Sequence, residues 1–289
     1  MAEIRTPATS ANLGPGFDCM GIALNIYNTF HVQAAEKNEL INVEERFRGE
    51  DNLFLKAYRK GCEALGVFTP VSVTFDCQIP QTRGLGSSAS LIIGGLKAAS
   101  LLHGNRLSDE EILQIACTME GHPDNTAPCL LGGLCASLQT DDGTWITRQM
   151  PVSEKWRFTV LIPQFEVATK EARSILPDSY SRRTAAANAA HAVLLARALA
   201  DGDEQLLRDA SKDQLHDPYR RTLIPHFEEI RKICEEDTGG VLVISGSGPA
   251  GLLIHTKPLS EETLQKLYAL SPDQKILAAE KADGTEVYP

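Results

Sequence analysis

Glycines and hydroxyls crowd one short stretch of this 289-residue chain, Gly84-Leu85-Gly86-Ser87-Ser88-Ala89-Ser90. An alternating run, Val71-Ser72-Val73-Thr74-Phe75, precedes it and reads as a half-buried strand. Residues 91–102 follow with a single charge, Lys97, and are apolar enough for a buried helix. A loop in that position holds free backbone N–H groups at the positive end of a helix, which attract an anion such as phosphate. A serine-capped glycine turn has the same local pattern. Further on, Glu120-Gly121-His122-Pro123-Asp124-Asn125 gathers two carboxylates, an imidazole and an amide at a helix end. Glu120 opposes the helix dipole there and so seeks a cation.

The surroundings of the glycines discriminate between phosphate loops. A Walker loop needs G-x-x-x-x-G-K-[ST], and no lysine lies between Gly84 and Ser90. A dinucleotide turn needs G-x-G-x-x-G/A opening a helix, then a second strand that ends in an acid. Residues 84–89 satisfy the first part. However, Ser108-Asp109-Glu110-Glu111 is a capping box, so the chain passes from helix to helix with no intervening strand. Residues 246–251 match the same pattern, but a strand follows them. Neither glycine run supports a dinucleotide site.

The elements that must position these loops do not alternate regularly. Ile4 opens a strand that runs into the small-residue loop 7–18, and residues 20–32 and 40–46 read as strands. Asp51 is placed as the cap of a helix over 52–65, stopped at Gly66. A helix over 108–119 ends at the Glu120 segment, and Asp141-Asp142-Gly143 marks a hairpin. Composition shifts near Met150-Pro151. Beyond it, strands are expected at 158–162, 240–244, 251–255 and 275–279, with helices at 184–199, 225–236 and 260–270. This mixture predicts an α+β fold with halves at 1–150 and 151–289.

A net charge of -10 argues against nucleic-acid and anionic-membrane partners, both of which want a basic face. Seven scattered cysteines with no C-x-x-C pair fit reduced thiols in a cytoplasmic protein rather than a disulfide frame or a zinc site. The first residues lack the apolar core of a signal peptide, and no apolar run is long enough to span a bilayer.

Pro80-Gln81-Thr82-Arg83-Gly84-Leu85-Gly86-Ser87-Ser88-Ala89 resembles P-x-x-x-G-L-G-S-S-A, the signature of the GHMP family of small-molecule kinases, at every specified position. Pro7-Ala8-Thr9-Ser10-Ala11-Asn12-Leu13-Gly14-Pro15-Gly16-Phe17-Asp18 resembles that family's N-terminal substrate loop. Ser245-Gly246-Ser247-Gly248-Pro249 resembles its C-terminal glycine motif, so the motifs stand in family order across nearly the whole chain. The first loop and the Glu120 segment are most similar to the branch that phosphorylates homoserine. The resemblance implies a two-domain GHMP kinase fold, with an N-terminal ribosomal-protein-S5-like α/β domain and a C-terminal ferredoxin-like α+β domain. It implies ATP and Mg2+ as cofactors, L-homoserine as acceptor, O-phospho-L-homoserine as a product bound for threonine, and a homodimer.

By the same resemblance, Asn52, Pro80, Gln81, Thr82, Arg83, Gly84, Leu85, Gly86, Ser87, Ser88, Ala89 and Ser90 contact the nucleotide. Ser88 and Glu120 hold the metal, and with Asn125 they form the catalytic group. Asn12, Asp18, His122, Asn125, Arg173 and Arg220 bind the acceptor, the arginines taking its carboxylate. Arg221 beside Arg220 leaves open which of the two does so. Asn125 as holder of the hydroxyl competes with Asp124 as general base. Two other readings share these features: a kinase for another small alcohol, and a non-catalytic relative. The latter is expected to lose Glu120 or the glycine loop, and both are retained.

Overall fold

In a computed structural model describing residues 1–288, two antiparallel strands form the spine of the first half, β1 (Ala2–Ala11) and β2 (Met20–Ala34). Their register slips between Pro7 and Ala8, where proline has no N–H to give the ladder. The brief β3 (Glu39–Ile41) and a 3-10 turn (Glu45–Phe47) follow. The strand expected over 40–46 stops at Ile41. Asn42 turns the chain there with a φ of 61° and donates its Nδ2 to the Phe75 carbonyl at 2.7 Å. The next helix, α1 (Leu53–Leu65), is capped by Asn52 and not by Asp51. After β4 (Val71–Cys77) come the helices α2 (Ser87–Leu102), α3 (Asp109–Glu120) and α4 (Pro123–Leu131). The hairpin β5 (Leu134–Gln139) and β6 (Trp145–Met150) completes this half.

One edge of β2 serves two neighbours: β4 pairs with Asn28–Ala34, and β5 with Met20–Ile22. α2 packs between α1, α3, α4 and the sheet, which is why it tolerates almost no charge. Both hydrogen bonds of the Ser108–Glu111 capping box are present at the start of α3. The segment after Gly121 is not irregular. Pro123 starts α4, so Asp124 and Asn125 occupy the first turn of a helix. Gly21 makes that placement possible, because a Cβ there would lie 1.8 Å from the Asp124 carbonyl oxygen.

The second half has β7 (Arg157–Ile162), α5 (Thr169–Ser174), α6 (Arg182–Asp201), α7 (Glu204–Ala210), α8 (Asp217–Arg220) and α9 (Phe227–Thr238). It closes with β8 (Val241–Ile244), β9 (Gly251–His255), α10 (Glu261–Leu270) and β10 (Lys275–Ala279). Its four-stranded antiparallel sheet is ordered β10-β7-β9-β8. Each half has core clusters of its own, and a further cluster spans both. Leu13, Ile22 and Leu24 of the first pack in one cluster with Phe158, Val160, Leu252 and Leu199 of the second.

The end of the chain then leaves the second sheet. Lys281 and Asp283 bridge to Leu24 and Gly132, and β11 (Glu286–Tyr288) pairs antiparallel with β1. The expected second half, 151–289, therefore includes a tail that belongs to the first sheet. A short polar tail carries no local signal for the sheet edge it joins, since that is set by a pairing across the whole chain.

The crowding at Gly21 generates a prediction. Gly21→Ala should force α4 away from β2 and destabilise the fold by about 1–3 kcal/mol, the usual cost of overpacking. A thermal melt measures this, and an unchanged Tm would contradict the contact.

Candidate active site

A cleft of about 770 Å³ opens where the two halves meet. Its floor is the start of α2. Gly84 and Gly86 have φ of 77° and 68°, and no side chain caps the helix, so its first N–H groups remain free for a ligand. A Cβ on Gly84 would sit 2.2 Å from the Ser245 carbonyl oxygen. Only glycine lets the loop rest on the 245–250 turn of the second half. Gln81, Thr82, Arg83, Gly84, Leu85, Gly86, Ser87 and Ser88 line the cleft.

Pro80, Ala89 and Ser90 are expected there and do not line it. Ser90 is fully buried, with its hydroxyl 2.7 Å from that of Thr6 and 2.8 Å from Asn28 Nδ2. Its work is to tie α2 to β1 and β2. Asn52 lines the cleft, but its amide is largely engaged nearby. Oδ1 accepts from the N–H groups of Phe54 and Leu55, and Nδ2 donates to the Phe47 carbonyl at 2.9 Å.

Ser88 and Glu120 meet at the mouth of the loop, the serine hydroxyl donating to Glu120 Oε1. Glu120 is the last residue of α3, and Gly121 turns the chain away with a φ of 87°. Two hard oxygen donors side by side, one of them an anion at a negative helix end, suit a divalent cation beside phosphate.

The opposite end of the cleft is dense in charge. Asp18 and Arg173 form a bidentate pair at 2.7 and 2.9 Å, joining the first loop to α5 across the two halves. The bonds to Asp18 hold the Arg173 pKa above its ordinary value. Arg220 differs. It is 2% exposed, donates Nε to the Ala172 carbonyl at 3.2 Å and Nη1 to the Gly246 carbonyl at 2.9 Å, and has no carboxylate partner among the described residues. Burial lowers its pKa, and the nearby Arg173 adds to that. Arg221 faces away, paired with Glu228 at 2.7 Å, and does not line the cleft.

His122 Nδ1 lies 2.5 Å from Asp124 Oδ1. Burial disfavours its charged form. The hydrogen bond to Asp124 and the charges of Asp124, Glu120 and Asp18 outweigh that, so its pKa is raised. Asp18, His122 and Asp124 thus form one compact cluster of ligating atoms. Asn12 lines the cleft, but its amide is occupied: Oδ1 accepts from the Asp18 N–H at 3.0 Å and Nδ2 donates to the Gly246 carbonyl at 3.0 Å.

Two further groups shape this end. Thr9 Oγ1 donates to Asn125 Oδ1 at 2.7 Å, which fixes the amide and leaves its Nδ2 free to donate. The Phe17 ring lies 5.2 Å from the Arg220 guanidinium carbon and 5.8 Å from that of Arg173, and stacks on His216 at 5.4 Å. Thr9 and Phe17 stand inside the motif 7–18, so a signal for them existed, although the loop expected there is strand β1 as far as Ala11, where its residues pair with β2. His216 carried none.

Each half of the chain matches one half of a kinase family: residues 52–133 match the GHMP kinases N terminal domain, and residues 195–271 the GHMP kinases C terminal domain. The fold and the cleft therefore define a two-domain α+β phosphotransferase of the GHMP class. A homoserine kinase of Clostridium botulinum is 41% identical over 86% of this chain and 84% of its own length. A homoserine kinase of Nostoc punctiforme is 39% identical over 95% of this chain and 92% of its own. The crystal structure of homoserine kinase from Cytophaga hutchinsonii superposes with a TM-score of 0.85 at 27% identity, covering 99% of this chain and 97% of that one. The chain belongs to the homoserine kinase family of the GHMP kinases.

The raised pKa of His122 makes stability depend on pH. The folded protein holds this proton more tightly than the unfolded chain. The stabilisation is therefore full below the ordinary value of 6.5 and is lost as pH rises through the higher folded value. In melts across pH, the Tm gap between the parent protein and His122→Asn should be widest below pH 6.5 and close as pH rises from there through the higher folded value. A gap constant with pH would contradict the assignment.

Proposed function

We infer that this protein transfers the γ-phosphoryl group of ATP to the side-chain hydroxyl of L-homoserine, making O-phospho-L-homoserine for threonine synthesis. The observation that carries this reading is Arg220, a buried guanidinium without a carboxylate partner, in the same end of the cleft as the acidic cluster of Asp18 and Asp124. An unpaired buried cation beside acids suits a ligand carrying both a carboxylate and an ammonium. Galactose and mevalonate lack that combination. The homoserine kinases among its relatives support the same acceptor.

In this reading the free N–H groups of α2 and the glycines at 84 and 86 cradle the triphosphate. Ser88 and Glu120 are the residues that would hold Mg2+, which supplies charge neutralisation at the phosphates when bound. The acceptor carboxylate goes to Arg220 and Arg173, and its ammonium to Asp18 and the acidic cluster. Asn125 Nδ2, with its amide fixed by Thr9, holds the acceptor hydroxyl in line with the γ-phosphorus. The hydroxyl oxygen bonds to that phosphorus as the bond to the β,γ-bridging oxygen breaks, and the hydroxyl proton passes to a phosphoryl oxygen. A loose transition state asks for position and charge stabilisation more than for a strong base. Asp124 is 2% exposed and already bonded to His122, which supports Asn125 over Asp124 as the hydroxyl's partner. The reading includes a cytoplasmic homodimer. Among the described residues no helix is long and apolar enough to cross a membrane.

With magnesium-ATP and a panel of homoserine, serine, mevalonate and galactose, ADP release should be fastest with homoserine. No turnover with any of them would refute the reading. Arg220→Met should raise the KM for homoserine roughly ten- to a hundredfold, the value of charge-assisted hydrogen bonds, while the KM for ATP stays near its parent value. Asp124→Asn should lower kcat by less than about tenfold if positioning dominates; a loss of several orders of magnitude would make Asp124 the base.

A further inference from the structure

Arg83 sits inside the glycine loop, yet its guanidinium points out of it. Nε donates to the Pro163 carbonyl at 3.0 Å and Nη2 to the Gln164 carbonyl at 2.5 Å. Nη1 donates to the Gln81 carbonyl at 3.2 Å and lies 3.3 Å from Glu166 Oε1. Every nitrogen of the fork is thus engaged by the protein, and the side chain is 13% exposed. The main chain is pinned as well: the Arg83 carbonyl accepts from the Ala250 N–H at 3.1 Å.

The segment that Arg83 grips has little else to hold it. Residues 163–168 lead directly into α5, whose six residues include Arg173. Ala172 is the only buried residue of that helix, and Val167 the buried apolar residue just before it. A helix this short does not persist on its own propensity. Its position therefore depends on polar anchors at both ends. One is the Arg220 Nε bond to the Ala172 carbonyl, and another is the Arg173 pair with Asp18. Arg83 is the anchor at the entrance, reaching 80 residues along the chain from the nucleotide loop.

We propose that Arg83 is a positioning residue for the acceptor site: it holds the 163–166 turn, and through it α5 and Arg173, in register with the glycine loop. The proposal rests on the homoserine kinase reading for its kinetic form, and it separates Arg83 from the residues that hold the triphosphate.

Arg83→Met keeps the aliphatic stem and removes the donors. It should raise the KM for homoserine about tenfold or more, while kcat and the KM for ATP change by less than about threefold. Homoserine binding measured by calorimetry without nucleotide should weaken by a similar factor, with binding of a non-hydrolysable ATP analogue unchanged. Arg83→Lys, which keeps one donor nitrogen and the charge but not the fork, should fall between parent and Met. Glu166→Gln should shift the KM for homoserine in the same direction by a smaller factor. Amide hydrogen exchange over 163–174 in the unliganded protein should quicken in Arg83→Met and stay at parent rates over α2. That measurement needs no substrate, so it stands apart from the activity assay of the parent protein, on which the kinase reading is judged. A rise in the KM for ATP with the KM for homoserine unchanged would overturn the proposal and make Arg83 a phosphate ligand. Unchanged kinetics with unchanged exchange over 163–174 would overturn it equally, as would an equal rise in both KM values.

Discussion

The structure depends on one turn of the second half, 245–250, seated against the loops of the first. The Gly246 N–H reaches the Ala11 carbonyl at 3.2 Å, and the Gly246 carbonyl accepts both Asn12 Nδ2 at 3.0 Å and Arg220 Nη1 at 2.9 Å. Ser245 Oγ donates to the Gly84 carbonyl at 2.6 Å, and the Ala250 N–H to the Arg83 carbonyl at 3.1 Å. Five hydrogen bonds thus fasten a single turn to the substrate loop, the nucleotide loop and the acceptor arginine. The backbones approach too closely for side chains at Gly84, and Gly246 takes a φ of 56°. Three glycine-rich motifs distant in sequence are required together because they are the two faces of one seam.

That seam also sets the electrostatics. Asn12, although it lines the cleft, gives its amide to the seam, so it braces the loop from which Asp18 emerges. Arg220 is held by carbonyl oxygens that orient it without cancelling its charge. A buried charge left in that condition costs free energy that an incoming carboxylate recovers. Phe17 supplies the ring beside both guanidinium groups, and His216 backs that ring. Burial lowers the His216 pKa and so favours its neutral form, which adds no further positive charge behind the arginines.

Legibility in the sequence followed the range of the interactions. Buried α2, the Ser108–Glu111 capping box, the hairpin at 141–143 and the strands of the second half are written in local periodicity and turn chemistry, and they stand close to where the pattern puts them. The brevity of β3 is not, because it depends on Asn42 reaching Phe75 across the sheet. Nor is the return of 281–288 to β1, or a core common to both halves. In the cleft the resemblance brought Ser88, Glu120, His122, Asn125, Asp18, Arg173 and Arg220 to one place, since motif spacing marks which residues stand together. It did not mark how each is used. Ser90 directly follows the motif and is a core tie, Asn52 is a cap, and Arg83 faces away from the loop that contains it. Residue type sets what a side chain can bind, and the partner is chosen only when distant segments meet.

The two cleft arginines, Arg173 and Arg220, differ in how they are held. Arg220 is buried and fixed by two carbonyl oxygens. The Arg173–Asp18 pair is about a third exposed on each side. An ion pair in that setting is worth only about 0–1 kcal/mol, because water competes for both partners. It is therefore easily opened or shared, and α5, which buries a single residue, can follow. In the proposed reading, a carboxylate entering the cleft would displace Asp18 from one arm of Arg173 at small cost and free an Asp18 oxygen for the ammonium of the same ligand. The exposed pair and the buried Arg220 line one cleft, so in that reading a zwitterion is admitted by exchange of like for like, and a neutral alcohol has nothing to offer either partner.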